Sequence, residues 1–119
     1  MDDRQRKDAG NAAEDAALQH LRAQGLKLIA RNYRCRAGEI DLVMLDGATL
    51  ALIEVRFRAS LQFGGAAASV TSQKQKRLIL AAKHLLASRR ELARYPARFD
   101  VVAIGSGRPI EWIRAAFTL

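Results

Sequence analysis

Hydrophobic and polar positions divide the chain into stretches of helical and of strand character. Residues 8–24 are dense in alanine (Ala9, Ala12, Ala13, Ala16, Ala17), with Leu18 and Leu21 on a narrow apolar stripe and Gly25 just beyond. Alanine favours helix and glycine is a preferred stop, so this stretch predicts a helix. Residues 26–33 alternate loosely and read as a strand. Residues 39–45 and 50–57 are stronger strand candidates, separated by Asp46-Gly47, a hairpin turn signal. Residues 59–69, with Gly64-Gly65 and Ala66 to Ala68, read as a loop. Ser72-Gln73-Lys74-Gln75 has capping-box spacing, and Leu78, Ile79, Ala82, Leu85 and Leu86 follow at helical period to about Ser88. Tyr95-Pro96 interrupts the chain, and residues 99–104 form a short, β-branched strand. After Gly105-Ser106-Gly107, residues 110–117 are a last strand or a helical turn. The order α-β-β-β-α-β predicts an α/β protein (α+β by some schemes), with a mixed central sheet flanked by helices.

The hairpin raises the first chemical question. If Asp46-Gly47 are the two turn residues, Leu45 faces Ala48, Asp41 faces Leu52 and Glu39 faces Glu54. Opposed residues share a face, so Glu39, Asp41, Leu52, Glu54 and Arg56 point the same way. A four-residue loop sets Asp41 opposite Glu54 and keeps that parity; only an odd-length loop separates them. In either even register the Cβ atoms of Asp41 and Glu54 lie about 5–8 Å apart. The other face (Ile40, Leu42, Met44, Ala51, Ile53, Val55) is wholly apolar and predicted to be core. Val43, Leu45 and Leu50 share the acidic face, so a helix is expected to cover half of it. Two carboxylates beside a low-dielectric wall repel each other and call for a compensating cation. A metal ion, Arg56, or both could supply it; a partly buried salt-bridge network is the alternative to a metal site.

Composition narrows the class. The 119 residues fit a single domain, 1–119, with residues 1–8 expected to be flexible. Half the residues are hydrophobic, too many for a disordered basic tail. No apolar run approaches the roughly 20 residues of a membrane span, and MDDRQRKD at the start offers no secretory core, so a cytoplasmic protein is expected. The lone Cys35 excludes an internal disulfide, and with only His20 and His84 beside it a zinc site is disfavoured. Twenty Lys and Arg against 12 Asp and Glu give a net charge of +8, which points to an anionic partner, nucleic acid before a membrane surface.

Gly38-Glu39-Ile40-Asp41-Leu42 followed by Ile53-Glu54-Val55-Arg56-Phe57-Arg58 resembles the D…ExK signature of restriction-endonuclease-like nucleases. More specifically, the chain resembles the YraN-like family of bacterial proteins. Further matches are Glu14, Ala17 and Leu21, then Arg31-Asn32-Tyr33, then Phe63 to Thr71 with Lys74-Gln75. Arg98-Phe99-Asp100-Val101-Val102 and Glu111 to Phe117 complete a likeness covering residues 9–117. The resemblance implies a restriction-endonuclease-like fold, similar to archaeal Holliday junction resolvases. It also implies metal-dependent hydrolysis of phosphodiesters in structured or branched DNA. By position, Asp41 and Glu54 would bind Mg²⁺ or Mn²⁺, with Glu14 as a third acid. Arg56 stands where the motif has lysine, and can stabilise developing charge but cannot act as a base at neutral pH. Lys74, opening the second helix, could supply the missing ammonium. Arg56 would contact the scissile phosphate, while Arg34, Arg36, Arg58, Lys74, Lys76 and Arg77 would hold flanking phosphates with little base reading. The alternative is a non-catalytic nucleic-acid-binding module on the same fold.

Other residues carry plainer expectations. Asp100 reads as a strand-end turn residue in preference to a second acid near the sheet edge, and Trp112 and Phe117 as core or as a homodimer contact. Aromatic residues are only 6% of the chain, which disfavours a stacking-based single-strand binder. Cys35, between Arg34 and Arg36, reads as an inert, partly buried thiol.

Overall fold

The computed structural model describes residues 3–57, 65, 69–105 and 107–118. Helix α1 spans Asp3–Ala23, followed by strands β1 (Lys27–Cys35), β2 (Gly38–Asp46) and β3 (Thr49–Phe57). Helix α2 (Ser72–Ser88) and a 3-10 turn (Arg90–Arg94) lead to β4 (Ala97–Ile104) and β5 (Glu111–Phe117). The five strands form one sheet in the order β1-β2-β3-β4-β5. Only β3 and β4 run parallel; the other neighbours are antiparallel. The parallel pair needs a crossover, and α2 lies within it. This is the mixed sheet flanked by helices that the hydrophobic pattern predicts, an α+β architecture consistent with a restriction-endonuclease-like core. The tail resolves as a strand, β5. The first helix starts at Asp3 rather than about Asp8. Arg, Gln and Lys in that stretch are good helix formers.

Helix α1 packs Ala17, Leu18 and Leu21 against Leu42, Met44, Ala51, Ile53 and Val102. On the other side α2 packs Leu78, Ala81, Ala82 and Leu85 against Val43, Leu50, Leu52, Phe99 and Val101. Each fully buried Leu or Val contributes about 1.5–3 kcal/mol, so the two layers are the main source of stability. Both faces of the hairpin are therefore core, where one apolar and one half-covered face were expected.

Two local features correct the predicted hairpin. Asp46 pairs with Thr49 and Leu45 with Leu50, so the turn residues are Gly47-Ala48, not Asp46-Gly47. Gly47 has φ +60, and a tight hairpin turn takes glycine where its first central residue needs positive φ. This register is the one that sets Asp41 against Glu54. Second, Ile40 joins the α2-side core while Leu42 joins the α1-side core. A regular strand puts residues two apart on one face, so β2 switches faces at Asp41. Strand β1 switches too: Arg31 reaches α1, whereas Tyr33 reaches His84 on α2. Asn32, between them, has φ +54, a left-handed conformation that asparagine tolerates better than most residues.

Helix α2 is capped one residue earlier than predicted. Thr71 Oγ1 accepts the Lys74 amide at 3.2 Å, and the Gln75 side chain donates to the Val70 carbonyl at 3.1 Å instead of completing a box with Ser72.

Asp100 is not a strand-end turn residue. It is fully buried inside β4, where the pairing with β5 is interrupted between Phe99 and Val101. Its carboxylate accepts the Arg98 guanidinium at 2.9 Å, the Trp112 indole N–H at 3.0 Å and the Ala115 amide at 3.0 Å. Arg98 also pairs with Asp46 at 2.8 Å. This network satisfies a buried charge and ties β5 to the sheet. Trp112 packs on the α1-side core, and Phe117 stacks on Phe99 at 4.7 Å.

Candidate functional site

The switch in β2 builds the site. The β2–β3 pairing runs as far as Leu42–Ile53, and Asp41 and Glu54 lie one step beyond it. There the Val55 amide donates to Asp41 Oδ2 at 2.8 Å. A carboxylate thus takes the place of the next ladder bond, which holds the Asp41 side chain beside Glu54.

Burial makes this pair costly. Burial first, and the charge of Glu54 second, push the Asp41 carboxyl up to about 8, partly offset by the Val55 amide. Glu54 is buried at 6% exposure, and its Oε2 has no hydrogen-bond partner among the described residues. Among the described residues, the Lys74 ammonium in the first turn of α2 stands 3.7 Å away, beyond hydrogen-bond length. Arg56, the other candidate counter-charge, donates from Nε to Ser69 Oγ at 3.1 Å. A buried acid pair with an orphaned oxygen is a donor set that accepts a divalent cation, so a hard metal ion fits here.

Glu14 is drawn towards the pair without closing a cage. Its side chain is 14% exposed, so it does not face solvent as an acid on an alanine-rich helix usually does. Burial raises its pKa first and Asp41 second, while Arg31, 3.3 Å from its Oε1, pulls it down. Among the described residues no group of three or more His, Cys, Asp or Glu side chains is arranged to hold a metal ion. Asp41 and Glu54 are the candidate donor pair, with Glu14 outside it on Arg31. Residue spacing gives no sign of the roles of Arg31, Ser69 and the Val55 amide, because each depends on a contact across the fold.

The basic residues divide into two groups. Arg36, Lys74 and Arg77 line a cleft of about 370 Å³ with Ala37, Gly38, Glu39 and Leu78. Lys76 is exposed on the same turn of α2. Arg34 points into solvent and pairs with Glu39 at 3.4 Å. Arg58 lies outside the described residues, as does Gly64. Cys35 is a partly buried free thiol. No helix of the described residues is long and apolar enough to cross a membrane.

The fold and the paired acids define an α+β protein with a restriction-endonuclease-like core. The chain belongs to the Uncharacterised protein family UPF0102, whose model matches residues 13–104. This bears out the resemblance to the YraN-like family. A UPF0102 protein of Pseudomonas entomophila (strain L48) is 54% identical over 113 residues, covering 92% of each chain. One from Saccharophagus degradans is 54% identical over 112 residues, covering 94% of each. Another, from Cupriavidus taiwanensis, is 58% identical over 111 residues, covering 91% of this chain and 81% of that protein.

Proposed function

We propose that this protein is a metal-dependent endonuclease, a hydrolase of phosphodiester bonds in structured or branched DNA. The supporting observation is the Asp41–Glu54 pair: two adjacent carboxylates, one with a raised pKa and one with a buried oxygen lacking a hydrogen bond. Asp41 and Glu54 would hold Mg²⁺ or Mn²⁺, which lowers the pKa of bound water and neutralises charge on the phosphoryl oxygens when present. Lys74 lies where its ammonium can meet a phosphate oxygen beside the pair. Arg56 supplies fixed positive charge, and Arg36, Lys76 and Arg77 face outward where flanking phosphates would run. The purified protein is expected to nick a branched DNA with Mg²⁺ or Mn²⁺ and not with EDTA. Asp41→Asn and Glu54→Gln are each expected to abolish nicking. Undiminished nicking by the double variant sinks the assignment.

One observation favours the alternative, a non-catalytic nucleic-acid-binding module in the cytoplasm. Arg56 is turned to Ser69 and cannot serve as a base. Such a module binds DNA with a steep salt dependence and cleaves none with any divalent metal.

A further inference from the structure

The cleft lined by Arg36, Lys74 and Arg77 lies between the start of β2 and the first two turns of α2. Its charge runs against the helix. A helix N-terminus carries partial positive charge and favours acids in its first turn. Helix α2 has no acid there and instead places Lys74, Lys76 and Arg77 within its first six residues. That arrangement costs helix stability unless an anion sits among the cations. Arg36 and Arg77 have no carboxylate partner among the described residues, whereas Glu39 is engaged by Arg34. Gly38 packs closely on the helix: a Cβ there would stand 3.4 Å from both the Cβ and the carbonyl oxygen of Arg77, at the limit of ordinary contact. Lys74 belongs to both places, lining the cleft while its ammonium faces Glu54.

We propose that this cleft is a phosphate subsite, holding one phosphate group of a nucleic-acid strand beside the acidic pair. The inference rests on the nucleic-acid reading above and adds where the strand is gripped. Two arginines offer planar forks matched to phosphate oxygens, and the lysine adds a point charge on the side of the pair. The phosphate can be an internal diester or a strand-terminal monoester; the cleft's chemistry suits both.

Binding in EDTA tests the subsite apart from cleavage. Short single-stranded oligonucleotides, 5′-phosphorylated or 5′-hydroxyl, are titrated against the wild type, Arg36→Gln/Arg77→Gln and Arg22→Gln. Arg22 is exposed in the last turn of α1, away from the cleft. The double variant is expected to lose at least tenfold in affinity, with a salt slope reduced by about 0.7, the value for one single-strand phosphate. Arg22→Gln is expected to bind as wild type. Preference for the 5′-phosphorylated strand assigns the terminal monoester; equal affinity assigns the internal diester. Inorganic phosphate is expected to shift the Gly38 and Arg77 amide resonances first. The subsite is overturned if the double variant binds like Arg22→Gln. It is also overturned if an acidic peptide, but neither phosphate nor oligonucleotide, shifts those resonances. Binding is read in EDTA, without the divalent cation that cleavage would need, so failed cleavage and a failed subsite give different results.

Discussion

The Lys74 ammonium stands 3.7 Å from Glu54 Oε2, the buried carboxylate oxygen without a hydrogen bond among the described residues. Lys74 is 41% exposed and Glu54 7%, so the lysine is a partly solvated, displaceable counter-ion for a buried acid. Screened pairs of this kind contribute about 0–1 kcal/mol. Lys74→Met is therefore expected to change metal-free stability little. It removes a positive charge that competes for Glu54, so Mn²⁺ affinity is expected to rise several-fold while nicking falls. Calorimetric Mn²⁺ titration read beside a cleavage assay checks this, and weaker Mn²⁺ binding would count against the competition.

Neutralising the pair has the opposite signature. Asp41→Asn keeps an acceptor for the Val55 amide and removes the repulsion with Glu54. In EDTA this variant is expected to be more stable than wild type by about 1–3 kcal/mol, the scale of one uncompensated buried polar group. Mn²⁺ is expected to raise the melting temperature of the wild type and leave the variant unmoved. A variant less stable in EDTA would show that Asp41 is held by favourable contacts rather than against repulsion.

The same pair sets a pH dependence. Asp41 has its carboxyl raised from 3.8 to about 8 in the fold. Between those values the native state holds a proton that the unfolded chain releases, so stability falls as pH rises through the window and levels off above it. Urea midpoints in EDTA are expected to decline from pH 5 to pH 8, and the Asp41-dependent part to vanish in Asp41→Asn. A profile identical in the two proteins would contradict the raised carboxyl.

Asp100 carries a structural prediction. It accepts from Arg98, the Trp112 indole and the Ala115 amide while fully buried. Asp100→Ala leaves the Arg98 charge without its main partner and is expected to cost about 3–5 kcal/mol. Trp112 fluorescence is expected to shift as its indole loses its acceptor, and Asp100→Asn to lose less. Urea unfolding followed at Trp112 measures both.

How much was legible in the sequence depends on the range of the contacts. Leu78, Ala82 and Leu85 repeat at helical period, and α2 follows from them almost residue for residue. The parity that brings Asp41 to Glu54 is local as well, because either even turn preserves it. The face switch at Asp41 was hidden. It lies opposite Asn32, whose φ is positive in the neighbouring strand, and no periodicity encodes that. The burial of Asp100 is non-local in the same way: an acid in an apolar strand is satisfied in part by Trp112 and Ala115, partners over ten residues away. Arg56 beside Ser69 and Glu14 beside Arg31 are likewise settled by tertiary contact.

The cleavage proposed for the site depends on a divalent cation at Asp41 and Glu54. Titrating Mn²⁺ into the labelled protein and following amide NMR signals tests this directly, since the paramagnetic ion broadens its nearest neighbours first. The expected result is early loss of the Asp41, Glu54 and Val55 signals, absent in Asp41→Asn/Glu54→Gln. Uniform broadening across the chain, or the same losses in the double variant, contradicts a cation at this pair.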